Sequence, residues 1–156
     1  GRVVNIKKGQ FLAPKDMKHA VAKVTAEGNP NVVVTERGTS FGYNNLVVDM
    51  RGFPMMREQG IPVIFDVTHS LQLPGGGDGV TAGLAQYITP LASAGVAAGV
   101  DGLFLEVHEE PSRAKSDAQN ALRLDLLEPL LRRLMAIDAI VKAAPAAATG
   151  ATPARG

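Results

Sequence analysis

The chain has 156 residues, enough for one hydrophobic core and one domain. Its 16 Lys and Arg against 15 Asp and Glu leave a formal net charge of +1, so bulk charge points to neither nucleic acid nor an anionic membrane, and any anion site must be local. Cysteine is absent, which excludes disulfides and thiolate metal ligands within these residues. No 18-residue apolar run and no charged leader followed by an apolar core occurs, so the expectation is a soluble, untargeted, cytoplasmic protein.

In chain order, Gly1 to Lys8 reads as a strand (VVNIKK), and Pro14 opens a helix that Gly28 closes after KDMKHAVAKVTAE. The β-branched run Asn31 to Thr35 (NVVVT) is a second strand, followed by a polar, Gly-containing loop from Arg37 to Asn45. LVVDMRGFPMMRE then predicts a helix, weakened by Gly52 and Pro54. Ile61 to Val67 (IPVIFDV) is the third strand, and a Gly-rich loop leads to a helix over Leu84 to Ala98 that Pro90 is expected to bend or divide. Gly102 to Val107 (GLFLEV) is the fourth strand. Apolar residues at three- and four-residue spacing predict an amphipathic helix over Arg123 to Lys142. Residues 143–156 are low in complexity and expected to be a disordered tail, leaving 1–142 as the folded part.

Four successive βα units with near-continuous apolar strands imply an α/β fold with a parallel sheet covered by helices. Four units are half of a (β/α)8 barrel, which typically takes about 250 residues. A doubly wound open sheet is the competing architecture, although no strand is followed by a G-x-G-x-x-G turn opening a helix.

Lys7, Lys8, Glu36, Arg37, Asp66, His69, Glu106 and His108 all fall at the C-terminal ends of predicted strands, the rim where parallel barrels build active sites. Adjacent Lys7 and Lys8 point to opposite faces of the pleat, so one is a ligand candidate and the other structural. With the planar fork of Arg37, a lysine makes an anion clamp; the alternative is an ordinary ion pair with Glu36 or Asp66. His69, Glu106 and Asp117 could offer an imidazole and two carboxylates to manganese, iron, zinc or magnesium, but the spacing alone is not diagnostic. The loop QLPGGGDGVTAGL has the glycine content either of a flexible cover or of an unstructured connection.

At these segments the sequence resembles the 3-deoxy-D-manno-octulosonate 8-phosphate synthase (2-dehydro-3-deoxyphosphooctonate aldolase) family. The blocks are NIKKGQFLAP, TERGTSFGYNNLVVDMRGFP, FDVTHSLQLPGG and LEVHEEPSRAKSDAQNAL, in order between Val3 and Lys142. The resemblance implies the C-terminal half of a (β/α)8 barrel, assembly as a homotetramer, and condensation of phosphoenolpyruvate with arabinose 5-phosphate and water in lipopolysaccharide precursor biosynthesis.

Carried over by motif, Lys7 and Arg37 match the phosphoenolpyruvate-binding lysine and arginine, and Gln72 lies near the sugar phosphate. His69, Glu106 and Asp117 match metal-site positions, with Lys7 and His69 as the residues closest to the chemistry. KKGQFLAP, SLQLPGG and KSDAQN look closer to the metal-dependent branch, which uses manganese, iron or zinc and whose fourth ligand is a cysteine outside this chain. Strands one to four of the barrel are missing, so the chain is expected to belong to a longer protein and to be inactive alone. Rival readings are the related synthase that takes erythrose 4-phosphate, and an incompetent half-barrel acting as an interaction module.

Overall fold

The computed structural model describes residues 1–76 and 82–143. Four strands, β1 (Val4–Lys7), β2 (Val32–Glu36), β3 (Val63–Asp66) and β4 (Gly102–Phe104), form one sheet. They lie in chain order and every pair is parallel. The helices between and after them are α1 (Met17–Ala26), α2 (Gly52–Arg57), α3 (Ile88–Ala97) and α4 (Leu127–Ala143). A doubly wound sheet reverses its strand order at a switch point, and this sheet does not. Unreversed order with right-handed crossovers sets every helix on the same side of the sheet, the layout of a barrel wall. Among the described residues no helix is long and apolar enough to cross a membrane.

The two faces of the sheet differ as period-two alternation requires. Val34 and Val63, opposite each other in register, and Phe65 are fully buried beneath Phe53, Met56, Ile88, Ala92, Val96, Leu130 and Leu134. Phe65 and Phe53 stand 5.0 Å apart at a tilt of 59°, a favourable aromatic geometry. The other face carries Lys7, Thr35, Ile64 and Gly102 in one registered row. That face is open, and Phe104 at its rim is 43% exposed. Among the described residues β1 pairs only with β2 and β4 only with β3, so both sheet edges are free.

The helix boundaries correct three expectations. Pro54, Pro90 and Pro129 each occupy the third position of their helix, α2, α3 and α4. The first four N–H groups of a helix have no partner within it, so a proline there removes nothing. Pro90 therefore neither bends nor divides a helix; α3 starts two residues before it, behind a 3-10 turn at Ala85–Tyr87. The helix expected over LVVDMRGFPMMRE is confined to Gly52–Arg57, because Leu46–Val47 pairs antiparallel with Thr39–Ser40. The C-terminal helix starts at Leu127 rather than Arg123: Leu122–Arg123 pairs in parallel with Val107–His108, and a 3-10 turn at Leu124–Leu126 follows. It covers the described chain as far as Ala143, the first residue of the expected tail; residues 144–156 lie outside those described.

Close helix-to-sheet packing depends on Gly95 of α3. A Cβ there would lie 2.4 Å from Phe65 Cδ1, inside the core. Gly95→Ala should lower the midpoint of chemical unfolding by the equivalent of about 1–3 kcal/mol, the usual cost of overpacking. An unfolding curve superimposable on that of the unsubstituted protein would show that α3 can shift without cost.

Candidate active site

Each strand of the main sheet delivers a charged residue to its C-terminal end. At the end of β1, alternation sends Lys7 to the open face, where its side chain is 48% exposed, and buries Lys8 on the helix face. Lys8 Nζ lies 3.4 Å from Glu36 Oε2 and donates to the carbonyls of Gly9 and Leu12 at 3.2 Å each. Glu36 Oε1 accepts the N–H groups of Arg37 and Gly38 at 3.0 and 2.7 Å. The Lys8–Glu36 pair thus fixes the turn after β2. Of the two lysines, Lys8 is the structural one.

Asp66, at the end of β3, is fully buried and gathers most of the polar groups around it. Its Oδ2 accepts from Lys7 Nζ at 2.7 Å and lies 2.8 Å from His69 Nδ1; its Oδ1 accepts the backbone N–H of His69 at 3.0 Å. A carboxylate can only accept, so the His69 ring proton sits on Nδ1 and Nε2 turns away toward Glu106. Lys7 Nζ also stands 5.3 Å over the Phe104 ring, a cation–π contact on the open face. Thr68 joins the third and fourth strand ends: its hydroxyl donates to Asp66 Oδ1 at 3.3 Å and accepts the Glu106 N–H at 3.1 Å. Sequence alone puts Asp66 on the strand-end rim and offers it as an ion-pair partner, without marking it as the hub of the site, and gives Thr68 no role. The D-x-x-H spacing at a strand end, which puts a histidine one turn beyond its carboxylate, was the signal available for Asp66.

His69, Glu106 and Asp117 converge. One ligand atom from each lies within 4.8 Å of the others, and His69 Nε2 is 3.2 Å from Glu106 Oε2. With the ring proton on Nδ1, the Nε2 lone pair faces a carboxylate lone pair, a contact that is favourable only with a proton or a cation between them. Asp117 adopts φ of 51°, the left-handed region, and its carbonyl accepts the N–H groups of Asn120 and Ala121 at 2.9 and 3.0 Å. The tight turn carries its carboxylate back toward the strand ends. One nitrogen and two oxygens in this arrangement form a group able to hold a divalent cation.

Arg37 is half-buried and donates from Nη2 to the His69 carbonyl at 2.9 Å and to Gln72 Oε1. Burial pushes its guanidinium below the ordinary value, while the charges of Asp66, Glu36 and Asp117 push it back up; the group stays a cation. It forms no ion pair with Glu36 or Asp66, and of the alternatives open in the sequence that pairing is realised by the lysines. Lys7 and Arg37 line one cavity of about 440 Å³ with Lys8, Gly9, Gln10 and Phe11. His108, also at the rim, accepts the Glu110 N–H on Nδ1 at 3.0 Å and stands outside the cluster. Residues 77–81 of the Gly-rich loop lie outside those described.

The model of the DAHP synthetase I family matches residues 1–143. A 2-dehydro-3-deoxyphosphooctonate aldolase of Geobacter sp. (strain M21) is 60% identical over 141 residues, covering 90% of this chain and 52% of the relative. Those of Syntrophotalea carbinolica and Brucella ovis are 61% and 59% identical, covering 91% and 92% of this chain and 51% and 52% of theirs. The chain thus spans about half the length of the curated relatives it matches. The four parallel βα units correspond to about half of such a barrel chain. With a family model matching nearly all of its residues, the chain belongs to the DAHP synthetase I family.

Proposed function

We propose that this chain carries the donor-binding and metal-holding half of a 3-deoxy-D-manno-octulosonate 8-phosphate synthase, which condenses phosphoenolpyruvate with arabinose 5-phosphate and water and releases phosphate. One observation carries the reading: Lys7 and Arg37, with the buried Lys8, line a single cavity at the strand ends, and Arg37 donates to the carbonyl of His69 in the His69, Glu106 and Asp117 cluster. The names and identity of the relatives support the choice of substrates. The intact enzyme works in the synthesis of lipopolysaccharide precursors as a homotetramer, and the half-site in these residues acts only with the rest of its barrel.

In this reading Lys7 and Arg37 bind the anionic donor and hold its C3 against the sugar aldehyde. A C3–C1 bond forms, water adds at C2, and the C2–O bond to phosphate then breaks, so the phosphate leaves as the keto sugar is formed. Lys7 and Arg37 stabilise negative charge as it develops, because they are fixed before the reaction begins: Lys7 by Asp66, Arg37 by Gln72 and the His69 carbonyl. A divalent cation held by His69, Glu106 and Asp117, of the manganese, iron or zinc type, with a fourth ligand from outside this chain, would supply Lewis-acid polarisation of an oxygen. Asp66 holds the His69 ring in the tautomer that presents Nε2 to this site.

Lys7→Ala and Arg37→Ala in the intact enzyme should each remove a charge-assisted contact of about 1.5–3 kcal/mol, lowering kcat/KM for phosphoenolpyruvate roughly ten- to a hundredfold. Unchanged steady-state kinetics in both variants would remove the clamp from the account. The choice of acceptor is tested by assaying arabinose 5-phosphate against erythrose 4-phosphate.

A further inference from the structure

The geometry points to Gln72 as the positioning residue for Asp117, tying that metal-site carboxylate to the donor-binding Arg37, rather than as a ligand of the sugar phosphate. This rests on the metal-holding reading of the His69, Glu106 and Asp117 cluster and deepens it. Gln72 stands between Arg37 and Asp117: its Oε1 accepts from Arg37 Nη2, and its Nε2 donates to Asp117 Oδ1 at 2.7 Å. A guanidinium can only donate and an ionised carboxylate can only accept. A primary amide at this spot therefore has one orientation that satisfies both neighbours, its oxygen toward the guanidinium and its nitrogen toward the carboxylate. Methionine offers neither strongly, and glutamate would set a second carboxylate against Asp117.

The backbone is held as firmly as the side chain. Gln72 pairs antiparallel with Gly83, and the Gly83 N–H donates to Gln119 Oε1 at 3.2 Å, two residues beyond Asp117. A Cβ on Gly83 would lie 1.7 Å from Asn120 Oδ1, so the pairing closes onto the Asp117 turn only with glycine there. The strand that carries Gln72 and the turn that carries Asp117 are thus locked together at two points. Both amide bonds are spent within the protein, which leaves one NH proton and one oxygen lone pair for any further contact. Outer partners of this kind orient a metal ligand, and their loss typically weakens metal binding about 10–100-fold.

The test is a titration of the metal-free intact enzyme with Mn2+, reading free Mn2+ by its electron paramagnetic resonance signal, for the unsubstituted protein, Gln72→Met and Gln72→Ala. We expect a 10–100-fold weaker Mn2+ dissociation constant in both variants, with metal-free melting transitions close to that of the unsubstituted protein. Should Gln72→Met fail to fold, Gln72→Ala gives the same readout without a bulky thioether. A purely structural glutamine would lower the metal-free melting temperature and leave Mn2+ affinity in place. A sugar-phosphate ligand would raise KM for arabinose 5-phosphate and likewise leave Mn2+ affinity in place. Either result overturns the assignment of Gln72 while the metal site stands, whereas failure of the unsubstituted protein to bind Mn2+ overturns the metal site and, with it, the assignment.

Discussion

Exhaustive removal of divalent cations from the intact enzyme should abolish turnover, and adding back Mn2+, Fe2+ or Zn2+ should restore it to differing degrees. The expectation follows from donor chemistry. His69 Nε2 faces Glu106 Oε2 at 3.2 Å while its Nδ1 is committed to Asp66, and Asp117 reaches the same point from a left-handed turn. Two carboxylates and an imidazole lone pair repel one another unless a positive charge lies between them, and one nitrogen with two oxygens does not select strongly among first-row cations. Restoration to unequal levels is therefore expected. Full activity after removal verified by elemental analysis would show that the cluster positions water or phosphate without a metal.

The second large effect is expected from Asp66→Asn. Asp66 is fully buried and receives Lys7 and His69 at 2.7 and 2.8 Å. Asparagine has nearly the same shape, but it can accept through only one atom and must turn its amide nitrogen toward a donor. One change therefore releases the donor-binding lysine and the orientation of the histidine together. Loss of a carboxylate behind a metal-site histidine typically costs 10–100-fold, and with Lys7 also released kcat/KM should fall by at least about 100-fold. Lys7 is half exposed and stays solvated when the carboxylate is lost, so the stability cost comes from setting a buried amide nitrogen against donors, about 1–3 kcal/mol. A folded Asp66→Asn enzyme with kcat/KM within threefold of normal would show that neither neighbour depends on it.

The strands were legible because each is a short β-branched or aromatic run bounded by turn residues; their alternation set Lys7 and Lys8 on opposite faces without saying which faces the site. Helix starts fall later than expected because sequence alone reads no proline after Pro14 as a first-turn residue. Pro54, Pro90 and Pro129 are instead first-turn residues, a distinction that depends on where the preceding chain stops pairing. The parallel contact of Val107–His108 with Leu122–Arg123 joins residues about fifteen apart and has no local signature. In the site, the residue types that meet were readable from strand ends. The central place of Asp66 was not, because it depends on Lys7 arriving from β1 and on Glu106, tied in through Thr68, arriving from beyond β4. Gln72 was placed at the site by resemblance, but its two partners are set by a turn at Asp117 that no spacing encodes.

The decisive measurement is release of inorganic phosphate from phosphoenolpyruvate by the intact enzyme, followed with arabinose 5-phosphate and separately with erythrose 4-phosphate as the acceptor. Release is expected with arabinose 5-phosphate only, matched mole for mole by an eight-carbon sugar phosphate in the mass spectrum of the products. Comparable turnover with erythrose 4-phosphate, or consumption of phosphoenolpyruvate with neither acceptor, would contradict it.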